Sequence, residues 1–298
     1  MTIEKLKSEK NAVILAHNYQ RPEIQDIADF VGDSLELAQQ AASTNAEIIV
    51  FCGVDFMAET ACILNPDKKV LIPDMGAICP MAQMLDTGDL LAAMEQYPDA
   101  DVVLYINSLA ADKAYADCIC TSANATSIVA SMDADVVLFG PDHNLARYVE
   151  MRTEKRIIPV PEYGLCPTHH QITIGDLLDA KSAHPMAKVV VHPECVPEIQ
   201  DRADEIASTS GMVRYCRKSD AGEFLIGTEV GLLYRLKKEI PGKEFYPLSK
   251  SAVCPQMKMH TLEKVKRALE REKPEVLVQK DVADKARLAI ERMLDLSG

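Results

Sequence analysis

The pentapeptide Pro-Glu-Ile-Gln-Asp occurs twice, at residues 22–26 and again at 197–201, 175 positions later. A sequence duplicated at that distance implies duplicated structural units, and this constrains the fold more than any other feature of the chain. Halving the offset predicts a middle copy about 87 residues from each, and its markers are present. Gly53-Val54-Asp55, Gly140-Pro141-Asp142 and Gly227-Thr228-Glu229 recur at offsets of 87 and 87, and Ala28-Asp29, Ala116-Asp117 and Ala203-Asp204 at 88 and 87.

Each copy opens with an apolar, β-branched run, at residues 12–16, 102–104 and 189–191. A stretch of helical period follows; in the first copy Ile24, Ile27, Ala28 and Val31 share one face. Further strands are expected at 48–51, 136–139 and 224–226, and near 70–72, 157–160 and 244–246. Strands alternating with helices imply parallel sheets covered on both faces, with every strand's carboxyl end on one edge. The expected fold is α/β, with three similar α/β/α domains in a pseudo-threefold arrangement. Their boundaries fall at 1–98, 99–184 and 185–263, with a closing segment of helix, extended piece and helix at 264–298.

Composition narrows the function classes. With 32 basic and 45 acidic residues the formal charge is −13, so a basic nucleic-acid-binding face is not expected. No apolar run reaches membrane-spanning length and the charged N-terminus lacks a signal-peptide core, so a soluble cytoplasmic protein is expected. No complete G-x-G-x-x-G or Walker A motif supports nucleotide binding.

Nine cysteines, an odd number, argue against a disulfide framework, and no C-x-x-C is present. Cys118-Ile119-Cys120 reads as buried filler. Cys79, Cys166 and Cys254 are different. They alone precede proline, lie 87 and 88 residues apart, and follow His17, Tyr105 and His192 by 62, 61 and 62 residues. Three equivalent loops around a threefold axis bring three thiolates together. Three thiolates suit a 4Fe–4S cluster with one open iron; zinc on three cysteines and a water is the alternative.

The strand ends carry a second set: His17-Asn18-Tyr19, Tyr105-Ile106-Asn107 and His192-Pro193-Glu194. Seventeen residues beyond His17, Tyr105 and His192 stand Ser34, Ser122 and Thr209. Any one of these is ordinarily only a helix N-cap, but three together suit a small polyanion at converging helix starts. His169 falls near the thiols, as support or substrate contact, whereas His143, His184 and His260 read as surface residues. Met81, Met84, Met257 and Met259 are expected to pack around the site.

With these residues assembled, the sequence resembles the quinolinate synthase family, iron–sulfur enzymes of de novo NAD biosynthesis. The likeness runs through Leu15-Ala16-His17-Asn18-Tyr19-Gln20, Gly32-Asp33-Ser34 and Gly53-Val54-Asp55-Phe56-Met57-Ala58-Glu59. It continues through Cys79-Pro80-Met81-Ala82, Tyr105-Ile106-Asn107-Ser108, Thr121-Ser122-Ala123-Asn124-Ala125, Cys166-Pro167-Thr168-His169 and Val191-His192-Pro193-Glu194-Cys195, closing at Gly227-Thr228-Glu229 and Cys254-Pro255-Gln256-Met257-Lys258. Two departures are a doubled His169-His170 and Ser210 where glycine is expected.

The resemblance implies one 4Fe–4S cluster on Cys79, Cys166 and Cys254, and condensation of iminoaspartate with dihydroxyacetone phosphate to quinolinate, phosphate and two waters. It implies substrate binding by His17, Ser34, Tyr105, Ile106, Asn107, Ser122, His192, Pro193, Glu194 and Thr209. Catalytic roles are expected for Glu194 as the main acid/base and for Tyr105, Tyr19 and His192. A transient partner that produces iminoaspartate is also expected.

Overall fold

Uninterrupted Val/Ile/Leu/Phe runs form strands that need burial on both faces, and parallel packing under helices provides it. The computed structural model describes residues 2–297 and places these runs in three four-stranded sheets. In the first, β1 (Ala12–His17), β2 (Phe30–Gly32), β3 (Ile48–Cys52) and β4 (Lys69–Leu71) lie in the order β2-β1-β3-β4. The second repeats that order with β5 (Asp101–Tyr105), β6 (Cys118–Cys120), β7 (Val136–Gly140) and β8 (Arg156–Pro159). The third repeats it again with β9 (Lys188–Val191), β10 (Glu205–Ile206), β11 (Glu223–Gly227) and β12 (Glu244–Pro247). All nine pairings are parallel.

Strand order reverses between the first and third strand of each sheet, which opens a crevice at their carboxyl ends. That crevice receives the segments after His17, Tyr105 and Val191. The inner strand β3 is buried along its whole length, as a doubly covered strand requires.

The sequence leads one to expect three strands per unit, and the structure has four. The additional strands, β2, β6 and β10, are only two or three residues long, too short to show a period. Each is registered by an aspartate just before it. The carboxylates of Asp29, Asp117 and Asp204 accept from the backbone N–H of Ile14, Val102 and Val189 at 2.7, 2.8 and 2.8 Å. Their own N–H groups donate to the carbonyls of the same three residues at 2.9, 2.9 and 2.8 Å. The recurring Ala-Asp pair is therefore a strand-pairing device. Cys118 and Cys120, on β6, are fully buried as expected.

The C-terminal segment closes the first and second units. Val265 and Leu269 of the helix Leu262–Arg271 pack with Leu6, Ile14, Val50 and Leu71. Glu275 forms an antiparallel bridge to Leu71, and the helix Lys280–Asp295 buries Ala286, Ala289, Ile290 and Met293. No helix among the described residues is long and apolar enough to cross a membrane.

One histidine departs from expectation. His260, expected at the surface, is fully buried, and its Nε2 lies 2.6 Å from the Gly53 carbonyl at the exit of β3. The ring is retained inside because it satisfies a strand-end carbonyl that would otherwise lack a partner. His143 and His184 are half-buried.

Replacing Asp117 with Ala removes a charged acceptor from the Val102 N–H and should cost about 1–2 kcal/mol, read as a lower urea midpoint.

Candidate active site

The helix starts explain how hydroxyl groups become free to meet a ligand. Asp33 caps the helix Ser34–Ser43 in a reciprocal capping box with Glu36, and Ser208 caps Thr209–Lys218. Ser34 and Thr209 are thus the first helical residues, and the capping role considered for them falls to their predecessors. Thr209 Oγ1 instead accepts from Asn18 Nδ2 at 2.8 Å, and Ser208 Oγ donates to Asp33 at 3.0 Å, joining the first and third units. Ser210 adds to that junction through its hydroxyl bond to Glu36.

The thiols have their own local logic. Cys166 is the N-cap of a short helical turn, Pro167–His170, with proline at the position where a missing N–H costs nothing. Burial pushes the Cys79, Cys166 and Cys254 thiols up. The backbone N–H three residues on, at Ala82, His169 and Met257, opposes that in each case. Of the other six cysteines five are buried, and Cys62 is half-buried with its Sγ 3.4 Å from the Val276 carbonyl.

These elements converge on one cavity. Its lining includes His17, Tyr19, Ser34, Cys79, Tyr105, Asn107, Ser122, Cys166, His169, His192, Glu194, Thr209 and Cys254. The expected contacts Ile106 and Pro193 are not part of that lining. Ile106 turns into the core, and the Pro193 carbonyl accepts from Gln200 Nε2 at 2.7 Å. Met81 and Met257 line the cavity, but Met84 is exposed.

A buried hydrogen-bond network crosses the cavity wall. Tyr105 OH donates to Glu194 Oε1 at 2.6 Å, and His169 Nδ1 lies 2.7 Å from Glu194 Oε2. His169 Nε2 is 2.8 Å from Thr228 Oγ1, which is 2.6 Å from Tyr19 OH. One assignment of protons that satisfies these contacts has Nδ1–H donating to Glu194 and Nε2 accepting from Thr228, which accepts from Tyr19; Nδ1 also lies 3.1 Å from Cys166 Sγ. His169 is therefore the ring that reaches the site, and its neighbour His170 is exposed. Thr228 was visible in the sequence only as the middle residue of a repeat marker.

His17 and His192 occupy equivalent places. Each Nδ1 accepts the backbone N–H two residues on, at 3.2 Å from Tyr19 and 3.3 Å from Glu194. His192 Nε2 then lies 3.1 Å from Ser122 Oγ. Burial holds both imidazoles far below the usual range, at about 3, so both are neutral near pH 7.

Burial would push the Glu194 carboxyl up, but His192, His169 and the bonds from His169 and Tyr105 outweigh it, and its pKa is lowered. Burial and the Glu194 charge keep the Tyr19 and Tyr105 phenols protonated. Among the described residues the lining contains no Lys or Arg.

Known proteins match the chain along nearly its whole length. The family profile described as "NadA: Quinolinate synthetase A protein" matches residues 1–295. The chain belongs to the quinolinate synthetase A family. It is 56% identical over 296 residues to the quinolinate synthase of Methanothermobacter thermautotrophicus, covering 99% of this chain and 97% of that protein. The Pyrococcus furiosus quinolinate synthase is 56% identical over 295 residues, at 99% and 97% coverage. That of Thermodesulfovibrio yellowstonii is 53% identical over 291 residues, at 98% and 96%. The chain is thus an enzyme of the quinolinate synthase kind, in NAD biosynthesis.

The donor set suits the iron–sulfur group expected of such an enzyme. Cys79, Cys166 and Cys254 share one cavity, and soft thiolates favour iron–sulfur clusters. Asn107 Oδ1, also at the cavity, has no hydrogen-bond partner. A smaller donor group lies alongside: ligand atoms of Cys166, His169 and Glu194 are within 4.8 Å of one another.

The histidine burial sets a pH dependence. Between about 3 and the ordinary 6.5 the unfolded His17 binds a proton that the folded ring refuses, so stability falls as pH drops through that window. Each such histidine contributes up to about 1.4 kcal/mol per pH unit. In metal-free protein His17→Asn should flatten the fall in urea midpoint between pH 7 and pH 4.5.

Proposed function

We propose that the chain condenses iminoaspartate with dihydroxyacetone phosphate to quinolinate, phosphate and two waters. It uses a 4Fe–4S cluster on Cys79, Cys166 and Cys254 with one iron free of protein ligands. The observation that carries this reading is that the three aligned thiols line the same cavity as the aligned strand-end and hydroxyl residues. When bound there, such a cluster supplies Lewis acidity toward a departing hydroxyl. The overall stoichiometry closes without an oxidant or reductant, so no redox step is required.

The rest of the chemistry falls to the chain's own side chains. Ser34, Ser122, Thr209 and Asn107 bind the carboxylates and the phosphate through neutral donors. His17 and His192, being neutral, hydrogen-bond to the substrate through Nε2 without competing for its protons. Glu194, ionised and buried, starts as the general base, and after taking a proton it serves as the acid for a leaving group. Tyr105 and Tyr19 keep their protons and act as donors, one directly on Glu194 and the other through Thr228 and His169. The enclosed site keeps bulk water from the imine, which hydrolyses readily. That lability also calls for an enzyme that delivers iminoaspartate in the same compartment, and nine free cysteines suit the reducing cytoplasm.

A second reading has a specific observation behind it: Cys166, His169 and Glu194 are spaced to hold a single metal ion. Iron and sulfide analysis separates the two, because about four of each per chain identify a 4Fe–4S site and one metal without sulfide identifies the other.

Two outcomes are expected from anaerobic assays with both substrates, reading quinolinate by chromatography. Wild type forms quinolinate, and Cys166→Ser forms none and carries less iron. Glu194→Gln keeps the cluster but loses about 10²–10⁴ in kcat, the range for an acid/base residue. Unchanged turnover in Glu194→Gln with full iron content overturns the acid/base role.

A further inference from the structure

The three thiol loops are each held by a two-bond clasp that the known activity does not assign. The backbone N–H of Cys79 donates to Asp55 Oδ1 at 2.9 Å, that of Cys166 to Asp142 Oδ2 at 3.1 Å, and that of Cys254 to Glu229 Oε1 at 3.2 Å. The second bond runs the other way, into the carbonyl two residues before each cysteine. Asp55 N–H donates to Ala77 at 2.9 Å, His143 N–H to Gly164 at 2.8 Å and Val230 N–H to Ala252 at 3.0 Å. The backbones come so close in the second clasp that a Cβ on Gly164 would sit 1.9 Å from the Pro141 carbonyl oxygen.

The acids are buried or half-buried, which is costly for a carboxylate unless both oxygens are used. Both are used. Asp142 spends its other oxygen on the Leu145 N–H at 2.8 Å, Glu229 on the Gly231 N–H at 2.7 Å, and Asp55 on Gln83 Nε2 at 3.0 Å. A carboxylate therefore ties the end of the third strand to the cysteine loop, accepting on both sides. An amide of the same shape has only one acceptor atom, so at Asp142 and Glu229, whose two partners are both backbone N–H groups, it cannot close both bonds; at Asp55 the Gln83 amide can turn to accept instead.

We propose that Asp55, Asp142 and Glu229 are positioning residues that fix the three cysteine loops in their ligand-presenting form. The metal-holding role of those cysteines rests on the function proposed above; the clasp itself is read from the backbone. Removing one acceptor frees one loop, so one thiol moves out of register with the other two. The aspartates Asp29, Asp117 and Asp204 provide an internal control, because they also accept from backbone N–H groups but act on strand pairing at the opposite side of each unit's first strand.

The test uses Asp55→Asn, Asp142→Asn and Glu229→Gln beside wild type and Asp117→Asn in the full chain. After anaerobic reconstitution, iron release to a chelator is followed together with the electron paramagnetic resonance spectrum of the reduced cluster. The Asp142 and Glu229 variants should release iron about tenfold faster or more, the scale seen for groups that orient metal ligands, with altered spectra. Asp117→Asn keeps one oxygen for its single N–H partner at Val102 and should retain wild-type iron release and spectrum, with at most a small loss of stability. A parallel measurement on metal-free protein follows alkylation of Cys79, Cys166 and Cys254 by mass spectrometry. The thiol of the released loop should react about tenfold faster, the equivalent of one charge-assisted hydrogen bond. Circular dichroism identifies any variant that fails to fold, and the half-exposed Asp55 offers the mildest of the three substitutions. Wild-type iron release and alkylation in all clasp variants overturn the proposal, as does an equal loss in Asp117→Asn. If wild type takes up no iron and sulfide, the cofactor reading fails, and the alkylation rates alone decide the clasp.

Discussion

A parallel strand must be re-entered from the end at which its predecessor began, and right-handed crossovers satisfy this by leaving all carboxyl ends on one side. Everything chemical here follows from that constraint applied three times. Each sheet reverses strand order beside its first strand, and the residue emerging there is His17, Tyr105 or His192. The next crossover supplies a hydroxyl group, at the helix start for Ser34 and Thr209 and in the turn before the helix for Ser122, and the loop after the last strand supplies a cysteine. No segment has to depart from the regular α/β pattern to build the site; the loops only have to face the same point.

The electrostatics of that point are unusual for an enzyme expected to take dianionic substrates. Its lining holds two carboxylates, Asp33 and Glu194, and among the described residues no Lys or Arg. Lys258 lies one layer behind, paired with Glu229 at 2.9 Å, and Arg235 likewise, bonded to Asn18 at 2.7 Å. With His17 and His192 neutral, negative charge on a ligand is met largely by hydroxyl groups, amide dipoles and whatever charge the metal group brings. Selectivity in such a pocket depends on geometry more than on attraction, because a neutral donor rewards only a correctly placed acceptor.

Much of this was legible in the sequence because register errors do not survive three copies. Cys-Pro alone means little, but at 87 and 88 residues it marked the thiols that share the cavity. The same alignment found Ser34, Ser122 and Thr209, though it could not tell a cap from the residue after it; Asp33 and Ser208 carry the caps. Short edge strands were missed because two or three residues contain no period. Ile106 and Pro193 were expected as contacts from the family resemblance, and the cavity lining takes in Tyr105, Asn107, His192 and Glu194 without them. His260 was misread because an isolated histidine gives no sign of the carbonyl it will satisfy. Thr228 and the clasp acids stood in plain view as repeat markers, but their partners come from distant segments and only the folded chain reveals them.

The threefold site has a historical corollary. One repeat carries one thiol and one strand-end residue, so a single unit could complete a three-thiol cradle only as a symmetric trimer of identical chains. Joining the copies in one polypeptide removes the obligation to be identical. The equivalent positions now hold His, Tyr and His, and the turns after them hold Tyr19, Asn107 and Glu194. A symmetric trimer presents every group in triplicate and cannot distinguish the two ends of an asymmetric molecule. Covalent fusion keeps the symmetry where three equal thiols are presented and abandons it where each side of an asymmetric molecule needs different treatment.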